Sequence, residues 1–178
     1  EKRGAPLFQT VRHVGGWWLL LVSLVLEAAW QAEQHANPPH FWAFVAVVAL
    51  LAAGIALVAW GSKRGLWPFA VPEGRYVPLG VFPALAGLVV LLPLGNVTLS
   101  GQDGLGWPYL PLLNVFDATQ LAAAASLLLL AGLLKAEDAR LLRGVVFALA
   151  FIWLSALAGR IAHQWGDVPF AAGPMLQS

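Results

Sequence analysis

Five apolar stretches, each about as long as the 17–25 residues that some 30 Å of hydrocarbon requires, leave this chain few ways to fold. They run from Val14 to about Gln31, Phe41 to about Trp60, Val77 to about Leu94, Phe116 to about Leu134, and Gly144 to about Trp165. Backbone polar groups in lipid must find partners within their own span, so the spans should be helices. Composition closes off the water-soluble alternative. Of 178 residues 60% are hydrophobic and 11% charged, against about 25% charged in a soluble domain. The expected fold is an all-α, polytopic transmembrane helix bundle that forms one domain over residues 1–178. The first residue is Glu1 and the chain stops soon after an apolar span, so it reads as a piece of a longer protein. The first apolar stretch is too long for a signal peptide and lacks a cleavage-like ending.

The basic residues set an expected topology. Lys2, Arg3 and Arg12 precede the first span, Lys63, Arg64 and Arg75 follow the second, and Lys135, Arg140 and Arg143 follow the fourth. Nine of the ten Lys and Arg thus share one side of a five-span arrangement. The positive-inside rule makes that side cytoplasmic, which gives N-in and C-out. Tryptophan agrees, because Trp17, Trp18, Trp60 and Trp67 mark the inner interface while Trp30, Trp42, Trp107 and Trp165 mark the outer one. Pro83 should kink the third span or mark a late start. The stretch from Gly95 to Leu113, with Gly106-Trp107-Pro108-Tyr109-Leu110-Pro111, is too short and Pro-rich to span, and fits an interfacial or re-entrant segment on the outer side.

Arg160 is the only Lys or Arg inside a span. At about 1.5 Å per residue it lies roughly 24 Å above the start of its span, and Glu27 roughly 20 Å above the start of the first. Asp117 opens the fourth span from the outer side, so all three fall near one depth. Helical spacing adds neighbours: Ser23, Trp30, Gln31 and Gln34 beside Glu27; Trp153, His163 and Gln164 beside Arg160; Gln120 and Asn114 beside Asp117. Read as a site, Arg160, Glu27, Asp117, His163, Gln31 and Gln164 would line a ligand-binding polar cavity, with Arg160 flanked by two carboxylates. Read as structure, Arg160 snorkels outward, Asn114 caps the fourth helix with Asp117 at N3, and Glu27 pairs with Arg160.

Other chemistry has little support in these residues. With a net charge of +1 there is no case for nucleic acid, and without Cys there is no disulfide, thiolate site or Cys nucleophile. His35, His40 and His163 sit near the outer face and His13 near the inner, a poor arrangement for haem or another metal, so no cofactor is expected. Asn96-Val97-Thr98 matches a glycosylation sequon, a frequent chance match. Ala122–Ala125 and Ala156/Gly159 suit close helix packing. No hydrolase, P-loop or metalloprotease motif is present, so no reaction is assigned.

The run Phe147-Ala148-Leu149-Ala150-Phe151-Ile152-Trp153, then Arg160-Ile161-Ala162-His163-Gln164-Trp165-Gly166-Asp167-Val168-Pro169-Phe170, is distinctive, as is Tyr109-Leu110-Pro111-Leu112-Leu113-Asn114-Val115-Phe116-Asp117. Both resemble segments of a large family of bacterial multi-pass proteins known as predicted membrane proteins of unknown function. Members of that family are several times longer, and this piece is similar to a stretch towards their C-terminal half. Their shared Arg, His, Trp and Val-Pro-Phe pattern maps onto Arg160, His163, Trp165, Val168, Pro169 and Phe170. The resemblance implies a bacterial inner-membrane location and no particular reaction.

Two functions follow as expectations. The first is a handler of an anionic envelope lipid or glycan, with Arg160 holding the head group at a periplasm-facing site. The second is a non-catalytic scaffold that packs against further spans of the parent protein or a membrane partner. A transporter fits less well, since transporter sites tend to lie near the midplane on broken helices.

Overall fold

The positions of the helices follow from where apolar runs meet good helix formers. The computed structural model describes residues 4–67, 69, 76–102, 105 and 108–166, and among these the chain is five helices without a strand. They are α1 (Gly4–His35), α2 (Pro39–Lys63), α3 (Tyr76–Thr98), α4 (Val115–Ala131) and α5 (Ala136–Gly166). Four are long and apolar enough to cross a membrane. The fourth helix has 17 residues, a length of about 25 Å that falls at the lower limit for crossing hydrocarbon.

α2 is the hub, packed against α1, α3 and α4, while α5 closes on α3 and α4. The core joins Val48, Ile55 and Val58 of α2 to Ala84, Leu88 and Leu92 of α3, Leu127 and Leu130 of α4, and Leu142 and Val146 of α5. Lipid is as apolar as leucine, so close packing rather than water exclusion must hold such helices together. Gly95 of α3 shows the device, because a Cβ there would run into the ring of Phe44 on α2.

Two helices begin earlier than the apolar runs alone suggest. α1 starts at Gly4, before the first span, and α5 starts at Ala136. The charged stretch expected as a loop from Lys135 to Arg143 is therefore mostly the opening of α5. Glu137 and Asp138 lie in its first turn, where carboxylates complement the helix dipole.

α3 runs through both Pro83 and Pro93. Proline removes the N–H that would reach the carbonyl four residues back. For Pro83 that carbonyl belongs to Leu79, and the Trp18 indole N–H donates to it at 3.1 Å. Trp17 donates to the neighbouring Gly80 carbonyl at 3.2 Å. These two tryptophans therefore bind α1 to α3 in addition to any interfacial role. Ala123 is fully buried, as close packing requires, but Gly159 faces open space. The Ala156/Gly159 surface is thus unused inside this bundle.

Candidate functional site

The start of α4 organises one end of the molecule. Asn114 is the N-cap, and its side-chain oxygen accepts from the Asp117 backbone N–H at 2.8 Å. Its amide in turn donates to Asp117 Oδ2 at 2.6 Å. This reciprocal arrangement works as a capping box does, with the first-turn acid also favoured by the helix dipole. Leu112 donates its backbone N–H to the same Oδ2 at 3.1 Å, which holds the preceding turn with Leu112 at φ 67°. Asp117 Oδ1 faces α5 and accepts from the Trp153 indole at 2.8 Å.

Arg160 completes the cluster from α5. Its Nη2 meets Asp117 Oδ1 at 3.1 Å, and both side chains are 0% exposed. Nη1 donates to Asn96 Oδ1 at 3.0 Å, and Nε makes a longer contact of 3.4 Å with the Tyr109 hydroxyl. The guanidinium lies over the Phe116 ring, 4.7 Å from its centroid. Phe116 in turn stacks on Phe44 of α2 at 5.4 Å. Each guanidinium nitrogen thus has a partner, and the planar face rests on an aromatic ring, an arrangement that suits Arg and not Lys.

The segment between α3 and α4 folds over this centre. Gly101 has φ +81°, and a Cβ there would sit 3.1 Å from both Arg160 Cδ and Tyr109 Cε2. Burial pushes the Tyr109 phenol up from its usual pKa, and its bond to Arg160 pulls partly back. The hydroxyl therefore stays protonated at neutral pH and can donate towards Asp117 Oδ2, at 3.4 Å. The Trp165 indole donates to the Tyr109 carbonyl at 3.3 Å, and Gln102 donates to Gln164 Oε1 at 3.1 Å. The stretch expected as an interfacial or re-entrant segment is therefore, over its described residues, a clasp that shuts on α5.

Chemically the centre is an internal ion pair with its hydrogen bonds nearly filled. Asp117 accepts from five donors and Arg160 has no exposed surface. A carboxylate has about four lone-pair sites, so little capacity is left for a further donor. Among the described residues, no three His, Cys, Asp or Glu side chains converge as metal ligands.

The family assignment rests on the chain as a whole. A family model described as predicted membrane protein (DUF2339) matches residues 1–178. The chain belongs to that family. No curated protein and no solved structure matches it. The family is one of membrane proteins, so the apolar helices are those of a membrane protein.

In this DUF2339 chain the six candidate residues divide. Asp117 and Arg160 meet, and Gln164 joins them through the clasp. His163 lies half-buried one turn past Arg160 on α5. Glu27 and Gln31 stand apart. They bond to each other at 2.8 Å on an exposed face of α1, and α1 packs on α2 and α3 without touching α4 or α5. The expected flanking of Arg160 by two carboxylates is therefore corrected to one, because the helix that carries Glu27 lies across the bundle. Trp107, Val168, Pro169 and Phe170 lie outside the described residues.

Three members of the centre were not expected: Asn96, Tyr109 and Phe116. Asn96 sits in the last turns of α3, buried, with its amide on the Leu92 carbonyl at 2.8 Å. Ala84, Leu88, Leu92 and Asn96 form an unbroken i, i+4 stripe. That stripe is visible in the sequence once Pro93 is not taken as the end of the helix.

Proposed function

We propose that this chain is a non-catalytic assembly bundle of a bacterial inner-membrane protein, with its N-terminus in the cytoplasm and α4 as a fifth crossing. Its Arg160 centre locks α3, α4, α5 and the clasp together, while α1 presents Glu27 and Gln31 to a further transmembrane helix. The observation that carries the reading is the contrast between these two polar groups. Arg160, the only Lys or Arg inside an apolar span, is spent on Asp117, so among the described residues Glu27 has only Gln31 on an outward face. An ionisable side chain in hydrocarbon costs about 2.5–3.5 kcal/mol unless paired or wetted. A neighbouring helix that offers a hydrogen-bond donor would remove that cost. Ser23, Trp30 and Gln34 are exposed on the same face, and Gly159 leaves a second helix face open.

The test uses the absence of Cys. Glu27→Cys and Gln164→Cys variants, which leave the Arg160–Asp117 pair intact, are exposed in intact cells to a membrane-impermeant thiol reagent from outside. The assembly reading expects slow labelling at both positions, and crosslinking of the Glu27→Cys thiol to another transmembrane segment. Fast labelling at both would describe a water-filled outward cavity. The envelope lipid or glycan reading, with Arg160 on an anionic head group, would then replace the present one.

A further inference from the structure

A groove runs along the outside of the bundle between α4 and α5, with Leu92 of α3 as part of its floor. Its volume is about 230 Å³. One wall is Gln120, Leu121, Ala124, Leu127 and Leu128, and the other is Val146, Leu149, Ala150 and Trp153. Both sets follow helical spacing, so the groove lies parallel to the helices. Leu121 and Leu128 are exposed, so it opens on the lipid-facing side. Trp153 offers only its ring, since its N–H is bound to Asp117.

The lining is apolar with one exception. Gln120 is buried, at 6% exposure, and its side-chain nitrogen has no hydrogen-bond partner among the described residues. A buried donor left unpaired is costly, and more so where lipid replaces water. The groove therefore requires an acceptor at one end and hydrocarbon along the rest. Gln120 lies five residues into α4, about 7–8 Å from the helix start, and the lining continues to Leu128, roughly 12 Å further on. A space of about 230 Å³ drawn out over that length is one chain wide, whereas a helix is about 10 Å across. Apolar cavities of about 150 Å³ already take up hydrocarbon ligands.

We propose that this groove holds one acyl chain of a glycerol ester lipid, with the ester carbonyl accepting from Gln120 Nε2 and the methylenes lying along Leu121, Ala124, Leu128 and Leu149. The carbonyl falls just inside the helix end, where the ester region of a bilayer meets its hydrocarbon. The head group then sits above the clasp and needs no contact with Arg160.

The purified full chain is reconstituted in phosphatidylethanolamine and phosphatidylglycerol vesicles containing a phosphatidylglycerol with a mid-chain diazirine. Photolysis and peptide mapping follow. Labelling is expected to concentrate on the groove residues of α4 and α5 above Leu19 and Leu20, which are exposed on α1. Gln120→Leu should lower the groove labelling about fivefold, the equilibrium equivalent of one net hydrogen bond, at unchanged thermal stability. An ether-linked probe, which lacks the carbonyl, should show the same loss on the unaltered protein, a control that needs no variant to fold. Ala124→Phe should abolish groove labelling and leave Leu19 and Leu20 untouched. Equal labelling of α1 and the groove would reduce the site to ordinary boundary lipid and overturn the proposal. So would crosslinks from the groove to a second protein helix.

Discussion

Asp117 and Glu27 are two carboxylates that the sequence places at similar depth, and the fold treats them in opposite ways. Asp117 is fully buried and accepts from Arg160, Trp153, Tyr109, Asn114 and the Leu112 backbone. Glu27 is exposed on α1 and, among the described residues, accepts from Gln31 alone. A charge can be buried when every lone pair finds a donor, and one side-chain neighbour on the same helix does not achieve that. The end of the bundle around Asp117 is therefore filled from within, while Glu27 keeps an exposed face that the proposed assembly would cover.

The largest effect should come from breaking the complete side. Arg160→Leu leaves Asp117 buried without its cation and strips Asn96 and Tyr109 of their contacts. Removing one partner of a buried pair costs about 3–5 kcal/mol, a large share of the roughly 5–15 kcal/mol by which native proteins are stable. Thermal unfolding in detergent, followed by helical circular dichroism and monodispersity on size exclusion, should show loss of folded yield. Arg160→Lys should be intermediate, because an ammonium keeps the charge and cannot reach Asp117 and Asn96 in one plane. If Arg160→Leu unfolds at the same temperature as the unaltered chain, the centre is not a lock.

How much of this was legible depends on which physical rule governs each residue. Apolar length alone identified all five helices, because hydrocarbon thickness allows little else. The Asn114 cap and the first-turn placement of Asp117 were legible from local spacing, and so was the shared face of Trp153 and Arg160. The partner of Arg160 was only half legible. Depth narrows the choice to Glu27 or Asp117, but choosing between them requires knowing which helices are neighbours, and every span is apolar nearly all round. Tyr109 and Gly101 were hidden for another reason. They lie in an irregular segment where no periodicity aims a side chain, and their place is fixed by the positive φ of Gly101 against the Arg160 stem.

A smaller effect, of opposite sign, should come from the turn that leads into α4. Leu112 holds φ 67°, a left-handed conformation that costs an L-residue with a Cβ about 1–2 kcal/mol. Its side chain is about half exposed and its backbone N–H serves Asp117. Leu112→Gly keeps that N–H and removes the clash. Part of the gain is offset by the greater freedom of glycine in the unfolded chain. Thermal stability in detergent should rise by about 0.5–1 kcal/mol. A fall would mean that the Leu112 side chain contributes more to the clasp than its exposure suggests.

The smallest effect on the isolated chain should come from Glu27→Leu. Only the Glu27 to Gln31 bond is lost, and i, i+4 pairs on a helix surface are worth about 0.2–0.5 kcal/mol. In lipid the substitution also removes an ionisable group from hydrocarbon, which favours the variant. The purified chain should therefore unfold within about 0.5 kcal/mol of the unaltered one. In the native membrane the protein should behave differently if another helix covers α1, because that helix would then present an unmet donor to leucine. Crosslinking from a Gln34→Cys thiol on the same exposed face reads this directly, with Glu27 intact or replaced. Loss of the crosslink in the Glu27→Leu background, with the isolated bundle still folded, separates an assembly role from a folding role. If Glu27→Leu instead destabilises the isolated chain as much as Arg160→Leu, the two carboxylates are equivalent and α1 belongs to the lock.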